Sequence, residues 1–134
     1  MANILVAYDG SQAADVALDQ AAMAAKSTGA SLAVLSVVPV TSGRAGPIDP
    51  TSDVDEHNRQ LDTAMGRLKE HGVEAQGLTS VGHPADTICR VAEERGVDLI
   101  VVGSRGLHGV ERFMMGSVST RVAQHAHCSV LIAR

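Results

Sequence analysis

The sequence predicts an α/β protein: an open five-stranded parallel sheet of Rossmann-like type, order 3-2-1-4-5, with four helices covering both faces. Two observations predict the class. Short, near-continuously apolar runs alternate with longer stretches whose apolar residues recur at helical spacing, and Gly or Pro punctuates most junctions. The apolar runs do not alternate with polar residues, as strands do when crossover helices bury both of their faces.

The first strand is Asn3 to Tyr8, too brief for a helix and bounded by Asp9-Gly10-Ser11. Ser11 can cap the helix that follows, whose Ala14, Ala17, Leu18, Ala21, Ala22 and Ala25 form one face before Gly29 stops it. Ser31 to Val38 is the second strand, closed by Pro39. Val40 to Ser52, with two glycines, two prolines and little apolar content, reads as a mobile loop. A second helix is expected from near Asp53 to His71, turning Leu61, Ala64, Met65 and Leu68 inward. Glu74 to Val81 is a weaker strand containing Gly77, which suggests a sheet edge.

Pro84 sits early in a third helix with Ile88, Val91 and Ala92 as its buried stripe. Asp98 to Val102 is the most hydrophobic strand and runs into a Gly-punctuated loop. The last helix is expected from Gly116 to about Ala126, with Val118, Val122 and Ala123 inward, and Cys128 to Ala133 is the last strand. The order of strands follows from the chemistry at their ends. Ligands of such sheets sit beyond the carboxyl ends where the strand order reverses. Asp9 and Gly103 carry the polar ends; 3-2-1-4-5 makes them neighbours, whereas 2-1-3-4-5 separates them, so the first is expected.

At 134 residues one domain accommodates the whole chain, which would bury roughly two thirds of its unfolded surface. A formal charge of -4 and only Tyr8 and Phe113 as aromatics argue against a nucleic-acid partner. The start lacks a basic, apolar leader and the longest apolar runs are strand-sized, so no membrane partner and a cytoplasmic location are expected. Cys89 and Cys128 fall within apolar patterns and read as buried thiols. His125, His127 and Cys128 lie close together, but no paired ligand spacing completes a four-ligand metal shell. A Walker A lysine, a Gly-x-Ser-x-Gly elbow and an acid ending the third strand, as a receiver domain needs, are all missing.

The candidate site is the stretch from Val97 to Ser119. Its physics suits an anion: the first amides of a helix lack carbonyl partners, the helix dipole adds positive potential, and glycines admit a phosphate close to the backbone. The spacing Gly-x2-Gly-x9-Gly-Ser, filled by Gly103, Gly106, Gly116 and Ser117, resembles the nucleotide-binding motif of the universal stress protein family, in its ATP-binding class. The resemblance extends over the chain, including Tyr8-Asp9-Gly10-Ser11 and the closing Cys128 to Arg134; Ser129 departs from it, since proline is usual there.

The resemblance implies a cytoplasmic ATP-binding stress protein, dimeric and nucleotide-responsive. It places Asp9 near the ribose or adenine edge, Ala7 and the backbone of Val37 beside the adenine, and Gly103, Arg105 and Gly106 along ribose and phosphates. Gly116, Ser117, Val118 and Ser119 would hold the phosphates through amides and hydroxyls, with Mg²⁺ carried on the phosphates. Asp9 also reads as a turn and cap acid, and Phe113, Met114 and Met115 as anchors for the loop. The family pairs its last strand, here Val130, Leu131 and Ile132, with a symmetry mate; edge physics points the same way, because a bare apolar edge invites pairing. Two other functions compete. A slow ATP hydrolase or phosphotransferase needs a residue to orient water, and none is evident; a dimeric interaction protein without nucleotide would be expected to break the glycine spacing, which is kept.

Overall fold

The structure is a computed structural model and describes residues 2–40, 50–105 and 116–134. Along the chain run β1 (Asn3–Ala7), α1 (Gln12–Thr28), β2 (Ser31–Pro39), α2 (Pro50–Glu70), β3 (Gln76–Gly82), α3 (Pro84–Glu94), β4 (Leu99–Gly103), α4 (Ser117–His125) and β5 (Ser129–Ala133). The five strands form one sheet in the order β3-β2-β1-β4-β5, every neighbouring pair parallel. β1 and β4 are therefore adjacent, in register from Ile4 opposite Leu99 to Val6 opposite Val101. The chain turns to opposite sides of the sheet on leaving these two strands, which creates the expected crevice at their carboxyl ends.

Two apolar layers hold the sheet between the helices. On one face Val6, Val34 and Val101 pack with Leu18 and Ala21 of α1 and Leu61 and Leu68 of α2. On the other, Leu5, Leu35 and Ile100 pack with Ile88 and Ala92 of α3 and Val122 of α4. Adjacent strand residues thus serve opposite cores, which explains why the strands lack polar alternation. The alanine-rich stripe of α1 lets that helix lie close to the sheet: Ala17, Leu18 and Ala21 are all fully buried.

Several boundaries differ from the sequence reading. Pro50 is the first residue of α2 and not part of the preceding loop; its missing N–H and fixed φ suit the first helical turn. The expectation of a mobile loop otherwise falls on residues outside those described. Ala123 is exposed, because in a helix of nine residues the inward face is narrow and Val122 occupies it. Asp98 precedes β4: its carboxylate accepts from the amides of Ala2 and Asn3 at 2.7 and 2.8 Å and ties the start of β1 to its neighbour. Cys89 and Cys128 are half-buried free thiols, and burial raises the pKa of both. Among the described residues no helix is long and apolar enough to cross a membrane.

Helices α1 and α2 are also joined by polar contacts. Asp19 accepts from Nε and Nη2 of Arg67, both at 2.9 Å, and lies 2.9 Å from Nε2 of His71. The Arg67 hydrogen bond holds the Asp19 carboxyl below the usual aspartate range. A depressed carboxylate stabilises the fold fully above its unfolded pKa, near 4, and loses that contribution as pH falls through the folded value. Asp19→Asn is therefore expected to lower stability at pH 6 by no more than about 1 kcal/mol, since the pair is partly solvated, and to match the parent near pH 2. Urea midpoints measured from pH 2 to 6 check this, and a gap that widened towards acid would refute it.

Candidate functional site

The turn after β1 is set by local chemistry. Asp9 Oδ1 accepts from the Ser11 amide at 2.9 Å, Gly10 takes φ 83° between them, and Ser11 Oγ accepts from the Ala14 amide at 3.1 Å to cap α1. Asp9 thus fulfils the cap-and-turn reading through Oδ1. Below the turn, Tyr8 is buried and its hydroxyl donates to Asp15 at 2.8 Å. Burial and that bond push the phenol pKa up to about 12, so Tyr8 stays neutral throughout the physiological range. The Gln60 side chain of α2 lies against Gly10, where a Cβ would come within 3.3 Å of its Nε2.

At the end of β4 the backbone of Gly103 meets that of Ala13 in the first turn of α1. A Cβ at Gly103 would stand 2.8 Å from the Ala13 carbonyl carbon and 2.9 Å from its oxygen. This closes the crevice on the α1 side. On the opposite side of the sheet Ala7, Val37 and Val118 are half-buried and pack against one apolar cluster. Three residues expected from the sequence to serve one ligand thus border the same apolar cluster.

The segment between β4 and α4 leaves and returns at one point. The Ser104 amide donates to the Ala133 carbonyl at 2.7 Å and extends the β4–β5 ladder, while the Ser104 carbonyl accepts from the Gly116 amide at 2.6 Å. Ser119 is 2% exposed, and its hydroxyl is shared between the carbonyls of Ser104 at 3.1 Å and Gly116 at 3.0 Å. That hydroxyl closes the base of the loop, and the donor Ser119 offers outward is its amide. Ser119→Ala is expected to cost about 1 kcal/mol, because both carbonyls keep a second donor. Chemical denaturation measures it, and a loss several times larger would show that the hydroxyl does more than close the loop.

Gly116 is the N-cap of α4, without a side-chain cap and with no acid in the first turn. The first intrahelical bond runs from the Thr120 amide to the Gly116 carbonyl at 3.1 Å, so the amides of Ser117, Val118 and Ser119 precede the helical ladder. Ser117 is exposed and Val118 half-buried. Amide donors, an exposed hydroxyl and no nearby first-turn carboxylate fit a phosphate group. Arg105 is half-buried at the start of the loop; Gly106 and the expected anchors Phe113, Met114 and Met115 lie outside the described residues.

Beside Ser117 an open cleft of about 440 Å³ runs between the starts of α3 and α4, lined by His83, Pro84, Asp86, Ser117, Val118 and Arg121 among others. Across it, Arg121 Nε donates to Asp86 Oδ1 at 3.1 Å. The sequence reading missed Arg121, although its signal was present: it stands four residues after Ser117, on the same helical face. Among the described residues no group of three or more His, Cys, Asp or Glu converges as a metal shell.

Comparison with known proteins places this geometry in a family. The model of the family described as "Universal stress protein family" matches residues 1–134. Universal stress protein YxiE of Bacillus subtilis is 40% identical over 144 residues, covering 98% of this chain and 97% of that protein. A universal stress protein crystallised in complex with cAMP superimposes with a TM-score of 0.78 at 28% identity, over 99% of this chain and 96% of that one. The Archaeoglobus fulgidus universal stress protein in complex with dAMP gives a TM-score of 0.71 at 27% identity, over 100% and 98% of the two chains.

Proposed function

This chain belongs to the universal stress protein family, and from that premise we propose that it is an ATP-binding member acting in the cytoplasm as a nucleotide-responsive, dimeric binding module. The observation that carries the proposal is the uncapped, acid-free start of α4, standing beside the β1–β4 crevice with Asp9 at its rim. The adenine lies on Ala7 and the Val37 backbone, and Asp9 meets the ribose or the adenine edge. Gly103, Arg105 and Gly106 pass along the ribose and phosphates, and the amides of Ser117, Val118 and Ser119 take the phosphates. The complexes of related proteins with cAMP and dAMP support an adenine nucleotide as the ligand class. Mg²⁺ enters on the phosphates.

Binding changes the surface offered to a partner. The expected result is thermal stabilisation by millimolar ATP with Mg²⁺, following RT ln(1 + [L]/Kd), about 2.7 kcal/mol at a hundredfold excess over Kd. Mass spectrometry of the supernatant from freshly purified, heat-denatured protein identifies any co-purified nucleotide. Absence of both signals would end the nucleotide reading and leave the dimeric interaction protein.

The dimer forms through β5. Val130, Leu131 and Ile132 are each half-buried along an edge strand, so neither core absorbs them completely. Pairing with a second β5 satisfies the open ladder and covers these side chains. Sedimentation should show a dimer that Ile132→Lys shifts towards monomer; a monomeric parent at micromolar concentration would contradict this.

A further inference from the structure

We propose that the cleft between the starts of α3 and α4 receives the terminal phosphates of the nucleotide, with Arg121 exchanging Asp86 for phosphate oxygens and His83 donating from the opposite wall. The proposal rests on the nucleotide reading above and adds to it the residues that count phosphates. Ser117 and Arg121 are one turn apart on a single face of α4, a rise of about 6 Å. The Arg121 side chain reaches across the cleft, with Nε 3.1 Å from Asp86 Oδ1, so its guanidinium stands towards the start of α3. A phosphate held by the Ser117 and Val118 amides therefore has this cation further along the cleft, where a second or third phosphate of the same ligand would extend.

The other wall is the start of α3. His83 is its N-cap, yet the imidazole makes no capping hydrogen bond and stays exposed. Pro84 brings no N–H to this wall, and the first helical bond is that of the Thr87 amide to the His83 carbonyl, 2.9 Å. Among the described residues Asp86 is the one carboxylate lining the cleft, and Arg121 already engages it. The two side chains are 59% and 57% exposed, so the pair is weak and water competes for both members. A polyphosphate offers several anionic oxygens to the same guanidinium and can bind it bidentately. An adenosine monophosphate seated on the α4 amides would end short of Arg121, whereas a triphosphate reaches it. Arg121 and His83 thereby select for phosphate number, and Asp86 occupies Arg121 until a long enough ligand arrives.

The test compares AMP and ATP binding, with Mg²⁺, by calorimetry on the full chain. Arg121→Ala is expected to weaken ATP about tenfold or more, the size of one lost charge-assisted hydrogen bond, and to change AMP by less than about twofold. His83→Ala moves ATP in the same direction by a smaller factor. Asp86→Asn is the sharper arm: freeing Arg121 and removing a like charge should tighten ATP by roughly threefold with AMP unchanged. If Arg121→Ala weakened both nucleotides equally or neither, or if Asp86→Asn weakened ATP as Arg121→Ala does, the ion pair would be structural and the proposal overturned. Sodium tripolyphosphate supplies an independent arm. Perturbation of the Ser117 amide and Arg121 Nε resonances in the parent, with the tripolyphosphate concentration needed to shift the Ser117 amide raised about tenfold in Arg121→Ala, would uphold the cleft even if no nucleoside ligand bound; an unperturbed parent would overturn it. Failure of AMP and ATP together, with tripolyphosphate still bound, would instead remove the nucleotide reading alone.

Discussion

Gly103→Ala is expected to lower the stability of the protein by about 1–3 kcal/mol, the usual cost of forcing a methyl group into a closed contact. The reason is not backbone conformation, since Gly103 is not among the glycines with positive φ. It is that the new Cβ would stand 2.8 Å from backbone and side-chain atoms of Ala13, and backbone cannot swing aside as a long side chain can. Relief requires α1 to move away from β4, and α1 carries the largest alanine stripe of the core. For a domain of this size each kcal/mol corresponds to roughly 3–5 °C in the thermal midpoint, so differential scanning calorimetry resolves the effect. An unchanged midpoint would mean that β4 and α1 do not touch at this position. The same displacement would shift Asp9 relative to α4, so weaker ATP binding should accompany the lost stability.

Ser117→Asp is expected to act on stability and binding with opposite signs. Ser117 is the exposed first residue of α4, and the first turn carries no acid. A carboxylate there meets the free amides and the positive end of the dipole, raising the stability of the unliganded protein by about 0.3–1 kcal/mol. It also occupies the position proposed for phosphate and repels it, so ATP affinity should fall by well over tenfold. Simple damage to the fold cannot produce both results. A variant that was stabilised and still gave the full ATP-dependent thermal shift would show that the nucleotide does not use this helix start.

Much of this architecture was legible beforehand. Strand and helix alternate because apolar runs and helical stripes follow one another, and those periods survive in the observed elements with shifts of a few residues. Pro50 shows the limit: composition places a proline beside glycines in a loop, but a first helical turn accepts it equally well. Ala123 shows another, since an alanine next to the buried Val122 has no marker of which side of the helix it will take.

The sequence by itself determined the class of fold and the presence of a helix start near Gly116 after a glycine-spaced loop, because periodicity and turn chemistry act over a few residues and can be read from a few residues. The strand order followed from Asp9 and Gly103 only with the added rule that ligands sit where the order reverses. The tertiary structure alone decided three things. Gly103 is held against Ala13; the Ser119 hydroxyl turns inward to Ser104 and Gly116; and the start of α3 faces Arg121 across an open cleft. Each of these joins parts of the chain that come together only when the sheet has formed and both layers of helices have packed on it, and no local pattern encodes which side chains will then meet.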